Sequence, residues 1–161
     1  MDDIARQAGV GKGTLFRRFG DRSTLIREVY AARIATLREQ IESGARPLGP
    51  STPPAERIGA VMDGIVKLKL ANIALMAALE GSANAAGESL FDSPNYRSVH
   101  LLLTDLLTRV KRTPHASWTA HLLLGSVRAD LLYHLARKDA MTSRQIRSRV
   151  ALFVTETLAS L

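Results

Sequence analysis

Between residues 22 and 43, Leu25, Ile26, Val29, Tyr30, Ile34, Leu37 and Ile41 recur every three or four positions. That is the spacing of one face of an α-helix. Arg27, Arg33 and Arg38 fall among them as a solvated edge. Nowhere does the chain alternate apolar and polar residues with the two-residue period of a half-buried strand. A sheet-based core is therefore excluded, and an all-α fold is expected. Composition agrees. Hydrophobic residues make up 46% of the chain but aromatics only 5%, so the core must come from Leu, Ala, Ile and Val, mostly good helix formers.

Breaks in the pattern set the expected helices. DDIARQA, residues 2–8, reads as a short helix with Asp2 and Asp3 in its first turn, where the helix dipole favours them. Gly9 ends it. A second short helix runs over 12–19, and Asp21 can cap the long helix 22–43. GARPLGPSTPP, residues 44–54, holds Gly and Pro too densely for a helix and reads as a linker. Pro54 suits the first position of a helix over 55–80. Residues 81–96 read as a loop region. Helices follow over 97–112, 115–138 and 143–160, the last capped by Thr142 or Ser143. Two domains result: a head with its connecting helix, 1–43, and a larger helical body, 44–161. The 161 residues contain no cysteine, which excludes disulfides and Cys-ligated metals. No signal peptide is visible. The most apolar run, LANIALMAAL, is short of the ~20 residues that span a bilayer. A cytoplasmic protein is the expectation.

The head carries the most informative stretch, GVGKGTLFRRFGDR, residues 9–22. Ala5 is small where two helices would cross, and Gly9 sits where the chain must reverse with positive φ. Val10 and Leu15 are apolar where the turn and second helix face inward; Ile4, Ala8 and Phe19 complete that side. This is helix-turn-helix spacing. The second helix then presents Lys12, Gly13, Thr14, Arg17 and Arg18 outward. Arginine can pair with guanine O6 and N7, and a threonine methyl can pack on thymine. A net charge of +7 fits an anionic partner.

From Asp2 to Tyr30 the run DDIARQAGVGKGTLFRRFGDRSTLIREVY resembles, without a gap, the DNA-binding module of the tetracycline-repressor (TetR) family of transcriptional regulators. The resemblance implies an all-helical fold: a three-helix head, a linking helix, and a body that binds a small-molecule effector. It implies double-stranded operator DNA as a partner. It places Lys12, Gly13, Thr14, Phe16, Arg17, Arg18 and Arg22 on family DNA contacts, with Arg17 and Arg18 at base edges and Lys12, Thr14 and Arg22 at phosphates. Two positions depart from the pattern. Phe16 stands where many members have tyrosine, and Gly11 where many have Ser or Thr. The motif also begins at the family's second helix, so the expectation for this chain alone is a loosened head with weak operator affinity.

For the body the resemblance implies a pocket and a dimer. The candidate lining comes from residues 62–80, 97–107 and 115–128: Met62, Ile65, Asn72 and Met76, with His100, Trp118 and His121. Lys69 and Asn72 interrupt an apolar helix there, and buried polar groups need partners. Leu124, Val127 and Leu131, with Ile146, Val150, Phe153 and Val154, form stripes on the last two helices. The family joins those helices to their copies in a four-helix bundle, so a homodimer is expected. No cofactor, metal or membrane partner is implied. The four histidines are scattered, and no metalloprotease, nucleophile-elbow or phosphate-loop motif occurs, so no enzyme is expected. The reading is a ligand-responsive regulator, most simply a repressor. A helical protein-binding adaptor with a vestigial head is the alternative; it would show no DNA affinity.

Overall fold

The computed structural model describes residues 5–6, 9–20, 22–77 and 89–161. Its helices are α1 (Lys12–Phe19), α2 (Arg22–Ser43), α3 (Pro54–Leu70), α4 (Pro94–Val110), α5 (Ala116–Gly125), α6 (Ala129–Arg137) and α7 (Ser143–Ala159), with a 3-10 turn at Leu90–Asp92. No strand occurs among the described residues, so the expected all-α class is the observed one. The chain divides into two compact units, Met1–Arg38 and Glu39–Leu161, and the division falls inside α2, ahead of the Pro/Gly linker.

In the first unit the chain reverses at Gly9, which adopts φ +65°. The Val10 amide donates back to the Ala5 carbonyl at 3.1 Å, and Ala5 is buried beneath the turn. α1 begins at Gly11, whose extended backbone supplies an N-cap with no side-chain bond. It ends at Gly20, φ +72°, whose amide donates to Phe16 O at 2.9 Å. The expected inward placement of Val10 is corrected: its side chain is 41% exposed. The turn ties the Val10 backbone to Ala5 and leaves its side chain on the outer side. Ile4, Ala8, Asp21 and most of the expected helix 2–8 lie outside the described residues.

In the second unit α3 packs against α4, α6 and α7, and α4 packs against α5. Ile58, Val61, Met62 and Val66 line one face of α3, and Leu103, Leu106 and Leu107 one face of α4; all are fully buried. These are i, i+3, i+4 sets, the stripe by which a helix faces a core. Each such side chain contributes about 1.5–3 kcal/mol by leaving water.

Two long helices expected from the sequence are broken. The helix over 55–80 stops at Leu70, turns at Ala71–Asn72, and resumes over 73–77. The Asn72 side chain donates to Leu68 O at 3.3 Å and its amide to Lys69 O at 3.1 Å, so a short polar side chain competes for the helix's own carbonyls. The helix over 115–138 is interrupted between Gly125 and Ala129. Ser126 Oγ takes the Leu123 carbonyl at 2.7 Å, and the tighter Val127-to-Leu124 and Arg128-to-Gly125 bonds close the turn. α4 starts at Pro94, earlier than expected, because Ser93 Oγ accepts from the Tyr96 amide and Pro occupies the first turn. α7 carries the expected Thr142 cap, completed by Gln145 into a capping box.

A forked pair ties α3 to α7: Arg147 Nε donates to Asp63 Oδ1 at 2.7 Å and Nη2 to Oδ2 at 3.0 Å, with Lys67 Nζ 2.9 Å from the same carboxylate. The hydrogen bonds from Arg147 hold the Asp63 carboxyl below the ordinary carboxylate range, against partial burial, and Lys67 adds to them. A carboxylate with a depressed folded pKa stabilises above its unfolded pKa, and that contribution is lost as pH falls through the folded value. Asp63→Asn is therefore expected to lower the thermal midpoint at neutral pH. The gap from wild type should close in acid, below the ordinary carboxylate pKa. Calorimetry across that range checks it; a gap that persists unchanged in strong acid would contradict the assignment.

Candidate functional site

On α1 the side chains of Thr14, Arg17 and Arg18 are exposed, as is Gly13. At 100° per residue these four positions lie within an arc of roughly 140°. Leu15 and Phe19 fall on the opposite side. Phe16 lies on the flank and is exposed. Among the described residues neither Arg17 nor Arg18 has a carboxylate partner, and Arg18 lies over the Phe19 ring at 5.5 Å. Both sit in the last turn, where cations also suit the helix dipole. A Cβ on Gly13 would meet nothing within 4 Å, so the first turn presents open backbone. The Thr14 amide donates to Gly11 O at 3.0 Å, and the amides ahead of it have no carbonyl within the helix to reach. The side chains of Lys12, Leu15 and Arg22 lie outside the described ones. What α1 offers chemically is a short exposed face with two guanidinium groups, a hydroxyl and the amides of a helix N-terminus, and no carboxylate.

The body holds a recess of about 300 Å³ lined by Phe91, Tyr96, Trp118, His121, Leu122, Leu124, Gly125 and Arg128. Of the seven lining residues expected from sequence, it brings together Trp118 and His121. His100 stacks on His121, with ring centres 4.0 Å apart, and its Nε2 lies 3.1 Å from Ser117 O. Met62, Ile65 and Met76 are buried in the core, and Asn72 is occupied with its own helix. Tyr96, Phe91 and Arg128 are residues the sequence reading missed. One signal was available: Tyr96 and His100 stand one turn apart, as do Trp118, His121 and Leu122 along α5, so two helices turn aromatic faces toward each other. Tyr96 Oη is 2.7 Å from His121 Nδ1. Burial and the neighbouring His100 both lower the His121 pKa, in that order, and burial raises that of the Tyr96 phenol. Both groups are therefore held neutral. Among the described residues no cluster of three or more His, Cys, Asp or Glu could hold a metal ion. No described helix is long and apolar enough to cross a membrane.

The seven positions expected at a dimer seam divide by burial. Leu124, Val127, Ile146, Val150 and Val154 are buried within this chain, because α7 lays its 146/150/154 stripe against α3 and α6. In the single chain they contribute to its own core. Leu131 and Phe153 remain exposed, together with Tyr133 and Leu152.

Residues 1–29 match the family described as bacterial regulatory proteins, tetR family. An HTH-type transcriptional regulator of Staphylococcus aureus (strain MRSA252) is 24% identical over 152 residues, covering 93% of this chain and 78% of its own length. No solved structure matches. The helix-turn-helix face of α1 lies within the matched residues 1–29, so the N-terminal unit of this chain is similar to the DNA-binding module of the tetR family of bacterial regulatory proteins.

Proposed function

We propose that the chain is a ligand-responsive repressor that binds operator DNA as a homodimer in the cytoplasm and releases it when a small molecule occupies the body. The observation that carries the DNA reading is the exposed arc of α1, where Gly13, Thr14, Arg17 and Arg18 stand together without an acidic neighbour on the helix. Arg17 and Arg18 read base edges; Lys12, Thr14 and Arg22 hold phosphates, and Phe16 makes an apolar contact. Release needs an effector with higher affinity for the DNA-incompetent state.

The test begins with duplexes selected by the protein from a random library. Affinity for a selected duplex, followed by fluorescence anisotropy, is expected to fall steeply with salt through counterion release. Arg17→Ala is expected to cost about 1–3 kcal/mol on that duplex and to relax preference at one base position. An equal loss on random duplex would show that Arg17 touches phosphate alone. A chain with no affinity for any duplex would favour the adaptor.

A further inference from the structure

We propose that the recess between the Leu90–Asp92 turn, α4 and α5 takes a small, uncharged aromatic molecule with one hydrogen-bond acceptor, received by His121 Nε2. This rests on the reading that the body holds an effector, and it names the effector's chemical class.

Size and walls come first. About 300 Å³ lies at the small end of ligand pockets, enough for a molecule of one or two rings. The walls are Phe91, Trp118 and Leu122, all exposed and so able to lose water on binding. The floor is a fixed ring array. Tyr96 and His121 stack with centres 5.8 Å apart, His100 backs His121, and Phe91 meets the Tyr96 and His121 rings edge-on at 5.2 and 6.1 Å. A planar ring can extend this stack at little ordering cost.

The polar chemistry is narrower. Tyr96 Oη lies 2.7 Å from His121 Nδ1, and in the proposed site the phenol is the donor of that bond. A neutral imidazole has one N–H, which that direction places on Nε2. Among the described residues no hydrogen bond occupies Nε2, leaving one donor for a ligand acceptor.

Charge is excluded on both sides. Arg128, at the rim, already forks onto Asp130, with Nη2 2.7 Å and Nε 3.1 Å from the two carboxylate oxygens. The cation that could hold a ligand carboxylate is thus matched by a carboxylate that repels one. Among the described residues no acidic side chain lines the recess to hold a cationic ligand.

Trp118 is the chain's only tryptophan, so its emission reports this site. The full chain is titrated with methyl phenylacetate, propylbenzene and phenylacetate at neutral pH, with calorimetry alongside. The ester is expected to change Trp118 emission and to bind about fivefold or more tighter than either the hydrocarbon or the anion. His121→Leu is expected to erase the preference over propylbenzene while propylbenzene still binds. If that variant does not fold, the wild-type ranking decides alone. Phenylacetate binding as tightly as the ester would overturn the proposal, as would no response to the ester up to about 10 mM. Trp118 emission that follows protein dilution and ignores the ester would mark a second copy of the chain on this face, and would also overturn it. If the ester binds at Trp118 but leaves DNA affinity unchanged, the ligand class stands and the effector reading falls.

Discussion

Val127→Asp is expected to leave no folded body, whereas Phe153→Asp is expected to leave the body intact and alter only self-association. Val127 is 1% exposed, in the turn between α5 and α6. A carboxylate there loses its water. The cost of several kcal/mol is comparable to the whole stability of a domain, about 5–15 kcal/mol. Phe153 is 39% exposed on α7, beside Leu152 and away from the stripe formed by Ile146, Val150 and Val154. A charge at 153 meets solvent in the isolated chain and costs little. In the proposed homodimer it meets the partner's apolar face. Circular dichroism should show a cooperative transition for Phe153→Asp near that of wild type and none for Val127→Asp. Light scattering should show a dimer for wild type at micromolar concentration and a monomer for Phe153→Asp. A Phe153→Asp variant that stays dimeric would move the seam off α7, and a Val127→Asp variant that unfolds like wild type would contradict its burial.

That contrast shows where sequence alone stops. The 146/150/154 stripe was legible as an apolar helix face, but periodicity states only that a face is covered, not by what. Coverage from within the chain needs the third dimension, because α3 lies remote in sequence from α7. Helix ends were legible where local chemistry decides them: Thr142 with Gln145 at α7, Pro54 at α3, Gly9 and Gly20 around α1. The breaks at Asn72 and Ser126 were not. Each lies in a run whose apolar spacing continues on both sides, while a single side chain diverts a carbonyl. The exposed α1 face was legible because Arg17 and Arg18 share it with Thr14 over fewer than two turns. The recess was legible at Trp118 and His121 alone. Leu122, Leu124 and Gly125 lie on α5 with them, whereas Phe91, Tyr96 and Arg128 come from the Leu90–Asp92 turn, the start of α4 and the turn after α5, and no local pattern links these three to α5.

Arg57→Ala is expected to destabilise the body by about 3–5 kcal/mol, the sum of two bonds from a charged donor. Arg57 is 6% exposed near the start of α3. Its Nη2 donates to Ile41 O at 2.6 Å and its Nε to Leu48 O at 2.9 Å. Ile41 lies in the last turn of α2, where carbonyls have no partner within the helix. One guanidinium thus closes the end of α2 and pins the linker that follows. Two effects oppose each other. Burial disfavours the charge and lowers the Arg57 pKa, with Arg109 adding to this and Asp105 offsetting it. Yet the guanidinium stays protonated, and the carbonyls that it serves belong to the backbone and cannot be deleted. Removing the side chain alone leaves one buried and one part-buried carbonyl unpaired, so the loss outweighs the relief of desolvation. Arg57→Lys restores at most one of the two bonds, because an ammonium lacks the planar fork that reaches both carbonyls. Arg57→Met keeps the packing and loses both bonds. The expected order of thermal midpoints is Arg, Lys, Met, Ala, with the alanine variant lower than wild type by about 10 °C. Hydrogen exchange at the Gly44 amide, which donates to Gln40 O at 3.1 Å, should speed in the same order as the end of α2 frays. A methionine variant as stable as wild type would show that the burial cost of the charge cancels its bonds, and that α2 ends where it does without Arg57.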